Sequence, residues 1–106
     1  MIYYDKLIIK DIKNMDKTMK DFENKKDVKN LRVFLFSKKS KELFECVKQA
    51  DFYENYQDGD YMILGFYLKY NSFKEITKEF VEYFMEMDIS VFDIRKFLEN
   101  EIATKE

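Results

Sequence analysis

Two short apolar runs constrain the fold of this chain most strongly. The first, LRVFLFS at 31–37, is nearly continuous and predicts a central strand that the sheet buries on both faces. The second, YMILGFYLKY at 61–70, is the strongest strand signal in the sequence. Each run has the length of a strand and is far shorter than the 18 or so apolar residues that a membrane span needs. The chain is therefore expected to build a sheet around these two segments and not to cross a membrane.

Apolar residues recur at helical spacing between and after these runs. Residues 12–24 predict an amphipathic helix that follows a partly exposed strand at 2–10. Three more helices are predicted, beginning at Ser40, at the S-x-x-E capping box formed by Ser72 and Glu75, and at Ser90. The expected buried faces of the second and last helices are Leu43, Phe44, Val47 and Ala50, and Val91, Ile94, Leu98 and Ile102.

The predicted element order is β-α-β-α-β-α-α, with about three strands and four helices. Strands that alternate with helices indicate an α/β (or α+β) domain of two or three layers. No internal repeat and no Gly/Ser/Pro-rich linker interrupts the pattern, so residues 1–106 are expected to form a single globular domain. The aromatic fraction of 18% supplies enough apolar area for a core.

The composition removes most catalytic chemistry. The chain has no histidine and one cysteine, Cys46, so nucleophile–histidine pairs are excluded, and a zinc site and a disulfide framework are not expected. Gly59 and Gly65 stand alone, without a glycine-rich phosphate loop. Gly65 falls inside a strand, where it indicates a bulge or the close approach of a neighbour. The sequence predicts a non-enzyme without cofactor or metal, in which Cys46 serves as a small half-buried apolar residue.

Charge is distributed unevenly along the chain. Residues 1–50 hold 13 Lys and Arg against 8 Asp and Glu, a net charge of +5, whereas residues 51–106 hold 6 against 13, a net charge of -7. The formal charge of the whole chain is only -2. Such asymmetry favours a charged partner.

An acidic-aromatic segment, DFYENYQDGD at 51–60, is the first candidate binding surface. It is expected to be a loop with a turn at Asp58-Gly59. Tyrosine is frequent at the energetic centre of interfaces, and surrounding carboxylates speed encounter with a basic partner. The predicted partner-binding residues here are Asp51, Phe52, Tyr53, Glu54, Tyr56, Asp58 and Asp60.

A stripe of glutamates on the third predicted helix is the second candidate surface. Its members follow at i, i+4, i+7 and i+11 and lie within about 60° of arc, opposite the apolar stripe of Phe73, Ile76, Phe80 and Phe84. They are Glu75, Glu79, Glu82 and Glu86. The first predicted helix carries a basic stripe, Lys13, Lys17 and Lys20, which could face the acidic stripe of a second copy.

These features predict a non-catalytic, cytoplasmic protein–protein interaction module. Its more specific form is a small acidic inhibitor or immunity-type protein that acts on a basic, nucleic-acid-handling partner. One alternative is a nucleic-acid-binding accessory protein that uses the basic N-terminal half, with Phe34 and Phe36 among Lys25, Lys26, Lys29, Arg32, Lys38, Lys39 and Lys41. Another is a small-ligand-binding protein or a structural homodimer. Phe92 and Phe97 lie off the main stripe of the last helix and would favour a dimer if exposed.

Overall fold

The computed structural model describes residues 1–57, 59–69 and 72–105. Four strands and four helices lie within these ranges, so the predicted α/β class is confirmed, with one strand more than expected. In chain order the elements are β1 (Tyr3–Lys10), α1 (Met15–Glu23), β2 (Arg32–Ser37), β3 (Glu45–Lys48), α2 (Gln49–Asn55), β4 (Tyr61–Tyr67), α3 (Ser72–Glu86) and α4 (Ile94–Lys105).

The strands form a mixed sheet in the order β1-β4-β2-β3. Strand β4 runs parallel to β1 and antiparallel to β2, and β2 runs antiparallel to β3. The two apolar runs therefore provide the two central strands. Every residue of β4 is buried, and so is every residue of β2 except Arg32. This burial explains why neither run shows the polar alternation of a strand with one solvated face.

Successive residues of β2 point to opposite faces of the sheet, and each face has its own core. Phe34 and Phe36 lie on the face covered by α3 and α4, here named the α3–α4 face. Val33 and Leu35 lie on the face covered by α1 and α2, here named the α1–α2 face. The architecture is thus three layers, helices–sheet–helices.

The prediction that a helix begins at Ser40 is wrong. The Ser40 hydroxyl accepts a hydrogen bond from the backbone N–H of Glu42 (3.0 Å), which fixes a turn instead of a helix start. The chain then continues into β3, where Val47 pairs with Val33 of β2. The strand β3 alternates half-buried and exposed positions. Pairing with a central strand overrides the weak helical periodicity of this segment, because tertiary contacts dominate local propensity.

Gly65 combines both features expected of a glycine inside a strand. The register of β4 against β2 shifts between Phe34 and Leu35, which pair with Gly65 and Ile63, and so marks a bulge. A Cβ atom at Gly65 would lie 2.3 Å from the backbone oxygen of Ile8 on β1. Only glycine therefore lets β1 and β4 approach at this point.

Helix α3 ends in a Schellman motif. The backbone N–H of Ile89 donates to the oxygen of Phe84 (2.9 Å) and that of Asp88 to the oxygen of Met85 (3.0 Å). Asp88 has the left-handed φ of 60° that this motif requires. Ile89 packs against the core of the α3–α4 face, as the residue after the left-handed position commonly does.

Helix α4 begins later than predicted. Ser90 does not cap it directly, since residues 91–93 form a turn and the backbone oxygen of Asp93 accepts from the N–H of Phe97 (3.0 Å). Val91, which was expected on the buried face, is exposed, whereas Ile94 is fully buried with Leu98 and Ile102. Because of this turn, the first inward-facing residue is Ile94, three residues later than the predicted Val91.

Candidate functional site

The 51–60 segment is not a loop throughout, because its first half lies in α2. Phe52 is only 2% exposed and packs against the rings of Phe22 and Tyr61, at centroid distances of 5.3 and 5.1 Å. Asp51 and Glu54 are exposed. In this structure the carboxylates of α2 are accessible to a partner and its central phenylalanine is not.

Tyr53 directs its hydroxyl inward, into a polar network that the sequence did not reveal. The hydroxyl donates to the backbone oxygen of Phe22 (2.6 Å) and accepts from the Gln49 side-chain nitrogen (2.8 Å). The Gln49 side chain also donates to the oxygen of Lys26 (2.8 Å) and accepts from the N–H of Val28 (2.9 Å). Gln49 is 5% exposed. The network fastens the polar loop after α1 to α2, so Tyr53 and Gln49 have a structural role.

Tyr56 and Asp60 also have partners within the chain. The Tyr56 hydroxyl donates to the carboxylate of Glu45 on β3, and burial together with this carboxylate raises the pKa of the Tyr56 phenol. Asp60 forms an ion pair with Lys39 at 3.0 Å. Tyr56, Asp60, Glu45 and Lys39 line one shallow depression of about 210 Å³ beside the outer strand β3. Asp58 lies outside the described residues.

The second predicted surface is present on α3 and is named here the acidic face: Glu75, Glu79, Glu82 and Glu86. Ile76, Phe80 and Phe84 are fully buried on the other side of the helix. The helix is amphipathic, and burial of its apolar stripe turns the glutamates toward solvent.

A groove runs between the acidic face and the outer strand β1. Glu79, Glu82 and Glu86 line it together with Lys6, Ile8 and Tyr83. Glu79 forms an ion pair with Lys10 of β1, and Lys6 lies over the Tyr83 ring, 4.1 Å from its centroid. Glu82 lies 3.9 Å from Lys78. Among the described residues, Glu75 and Glu86 form no ion pair. Of the three glutamates that line the groove, Glu86 is therefore the one without an ion pair to a described residue.

The structure does not bring the two predicted surfaces together. Helix α2 packs through Phe52 on the α1–α2 face, and α3 packs through Ile76 and Phe80 on the α3–α4 face. They also adjoin opposite edges of the sheet, which are about 14 Å apart for four strands. The two surfaces therefore lie on opposite sides of the sheet.

One exposed apolar surface was not predicted as a site. It comprises Met85, Met87, Val91 and Phe92 around the α3–α4 connection, with exposed fractions of 59, 40, 45 and 90%, and is named here the turn patch. One feature of the sequence pointed to this surface, because Phe92 lies outside the apolar stripe that was predicted for the last helix. Phe97, the other residue off that stripe, packs on Phe84 with a centroid distance of 5.6 Å.

The basic N-terminal half presents cations, but the two strand phenylalanines predicted to lie among them are not accessible. Phe34 and Phe36 are fully buried, so their rings have no face for a base to stack on. Lys13, Lys17 and Lys20 are exposed around α1, which covers the opposite side of the sheet from the acidic face. Pairing of these two stripes between copies would therefore join the α1–α2 side of one molecule to the α3–α4 side of the next.

Within the described ranges, no cluster of three or more Cys, Asp or Glu side chains is arranged to hold a metal ion. Cys46 is exposed on β3, and its sulfur accepts a hydrogen bond from the Tyr67 hydroxyl. None of the helices in the described part of the chain combines the length and apolarity needed to cross a membrane.

Comparison with protein-family models, with curated proteins and with solved structures gave no match to this chain.

Proposed function

We propose that this chain is a non-catalytic protein-interaction module whose acidic face binds a basic partner protein. The observation that carries the proposal is the groove beside β1, in which Glu79, Glu82 and Glu86 share one surface with the ring of Tyr83. Carboxylates attract a basic partner over a long range, and a neighbouring aromatic ring adds contact area that loses little conformational entropy on binding. Partners with clustered Lys or Arg fit such a groove.

The more specific form of the proposal is an inhibitor of a nucleic-acid-handling protein. The acidic face carries four carboxylates along about 16 Å of helix axis. A line of negative charge on a rigid helix can occupy positions where a basic groove would otherwise hold phosphates. The rigidity comes from the buried stripe of α3, which anchors the helix to the sheet.

Two pairs of charge reversals test the proposal. Glu82→Lys with Glu86→Lys alters the groove, and Asp51→Lys with Glu54→Lys alters exposed carboxylates of α2 on the other side of the sheet. Both variants change the net charge equally. Wild type and variants are immobilised, and nuclease-treated lysate of the native host is applied at low and moderate salt.

We expect a stoichiometric protein partner that the wild type and the α2 variant retain, that moderate salt weakens, and that the groove variant loses. Loss in the α2 variant alone would move the site to the 51–60 segment and contradict the proposal. Retention by both variants would exclude an electrostatic partner surface at either place. Recovery of nucleic acid in untreated lysate, lost after nuclease, would instead favour the basic N-terminal half.

A further inference from the structure

Exposed apolar side chains are concentrated at one place on this molecule. Among the described residues, five large apolar side chains are exposed, and four of them belong to the turn patch within 85–92. Phe92 is 90% exposed, although a phenylalanine ring gains considerable free energy from burial. Contiguous exposed apolar residues of this kind usually mark an interaction surface.

The turn patch sits on a well-ordered connection between α3 and α4. The Schellman hydrogen bonds of Asp88 and Ile89 fix the chain on one side of it. On the other side the Ser90 hydroxyl donates to the Asp93 carboxylate (3.0 Å), and the Asp93 N–H donates to the Ser90 oxygen (2.9 Å). The backbone that presents Phe92 is thus held before any partner arrives, which lowers the entropy lost on binding.

The segment that carries the turn patch is acidic, and the first basic residues after it are Arg95 and Lys96 in α4. Residues 82–93 contain four carboxylates and no Lys or Arg. Glu82 and Glu86 continue the acidic face up to Met85, which lies one helical turn beyond Glu82. Two copies that met through this patch about a two-fold axis would bring like charges together. Anionic lipid surfaces would be repelled for the same reason.

We propose that the turn patch and the adjoining end of the acidic face form a docking site for a basic amphipathic helix, with Phe92 as the apolar anchor. This inference rests on the proposed function and specifies the partner element. An apolar stripe flanked by Lys and Arg complements apolar residues flanked by carboxylates. Met85 and Met87 are unbranched and polarisable, so they can adapt to the side chains of the bound helix.

A synthetic helix provides the probe. The peptide has about 18 residues, with Leu at i, i+3, i+4 and i+7 and Lys elsewhere, and carries a fluorescent label. Its anisotropy is titrated with the full chain. Three comparisons accompany it: a scrambled peptide of identical composition, a Leu/Glu helix of the same pattern, and the protein variants Phe92→Ser and Phe92→Leu. Backbone amide chemical shifts of the labelled chain locate the binding surface.

We expect saturable one-to-one binding of the Leu/Lys helix, with at least about ten-fold weaker binding of the scrambled and Leu/Glu peptides. Phe92→Ser should weaken binding at least about ten-fold, as loss of an interface anchor does, and Phe92→Leu less than about three-fold. Shift changes should centre on residues 82–93. Unchanged affinity of Phe92→Ser, or shift changes centred elsewhere, would overturn the docking site.

Two further outcomes separate this inference from the function on which it rests. If the groove variant loses its cellular partner and Phe92→Ser keeps that partner, the proposed function stands and the docking site is wrong. Concentration-dependent self-association, measured by sedimentation and abolished by Phe92→Ser, would also overturn it, because a second copy would then occupy the patch.

Discussion

The 51–60 segment and the α3–α4 connection are both acidic and aromatic in sequence, yet the structure uses them in opposite ways. In the first, Phe52 is buried between Phe22 and Tyr61 and supports the core. In the second, Phe92 projects into solvent from an ordered turn. Asp51 and Glu54 in the first region and Asp88 and Asp93 in the second are exposed.

Aromatic content alone therefore does not identify a binding surface. Phe52 packs against Phe22 of α1 and Tyr61 of β4 because α2 lies on the α1–α2 face. Phe92 is exposed because it lies in the turn between the Schellman motif and α4, and Ile94 is the first residue of α4 that points inward. The polar 51–60 segment therefore buries the ring of Phe52, whereas the α3–α4 connection exposes the ring of Phe92.

The largest expected effect on stability comes from truncating the two phenylalanines. Phe52→Ala should lower the free energy of unfolding by about 3 to 5 kcal/mol, since it removes a buried ring and leaves a cavity. Phe92→Ala should change it by less than about 0.5 kcal/mol, as exposed substitutions do. Urea unfolding followed by circular dichroism measures both values. Equal losses would mean that Phe92 contributes to the core.

A second test compares two glutamines near the ends of the 49–57 region. Gln49→Met removes the hydrogen bonds to Val28 and Lys26 and leaves those backbone groups without partners. We expect a loss of about 2 to 3 kcal/mol. Gln57→Met, at an exposed position, is the matched control and should cost less than about 0.5 kcal/mol. A small loss in Gln49→Met would show that water replaces the network.

The smallest effect concerns alkaline pH. Burial and the Glu45 carboxylate raise the pKa of Tyr56 above its ordinary value of 10.0. Above pH 10 the unfolded chain releases this proton while the folded chain keeps it. The unfolded state then binds fewer protons, and the free energy of unfolding falls as pH rises.

Tyr56→Phe removes this contribution, so its stability should decline less steeply than that of the wild type between about pH 9 and about pH 11. Urea midpoints at several pH values for both chains measure the difference. Below pH 9 the contribution of Tyr56 is fully present, and the two curves should run parallel there. Identical slopes throughout would contradict the assignment of the Tyr56–Glu45 hydrogen bond.

The elements with a strong apolar pattern were predicted well. The runs that became β2 and β4, and the helix stripe of Ile76, Phe80 and Phe84, need burial whatever their neighbours are. The bulge at Gly65 was also predictable, since a glycine inside a strong strand has few other uses.

The segment from Ser40 to Asn55 was not predicted correctly, because its pattern is weak. Leu43, Phe44 and Val47 fit a helix as well as a strand that follows a turn, and only pairing of β3 with β2 decides between them. The Gln49–Tyr53 network joins loops and helices 21 to 31 residues apart along the chain, a separation that local periodicity does not report.

The sequence by itself determined the α/β class, the two central strands, the amphipathic third helix and its line of carboxylates. Local spacing is sufficient for these, since hydrophobic burial acts on every face with enough apolar residues. Only the tertiary structure decided that the two acidic surfaces lie on opposite sides of the sheet and that Phe52 is buried while Phe92 is exposed. These outcomes depend on strand order and on the position of each helix end, which are set by contacts between residues distant in sequence.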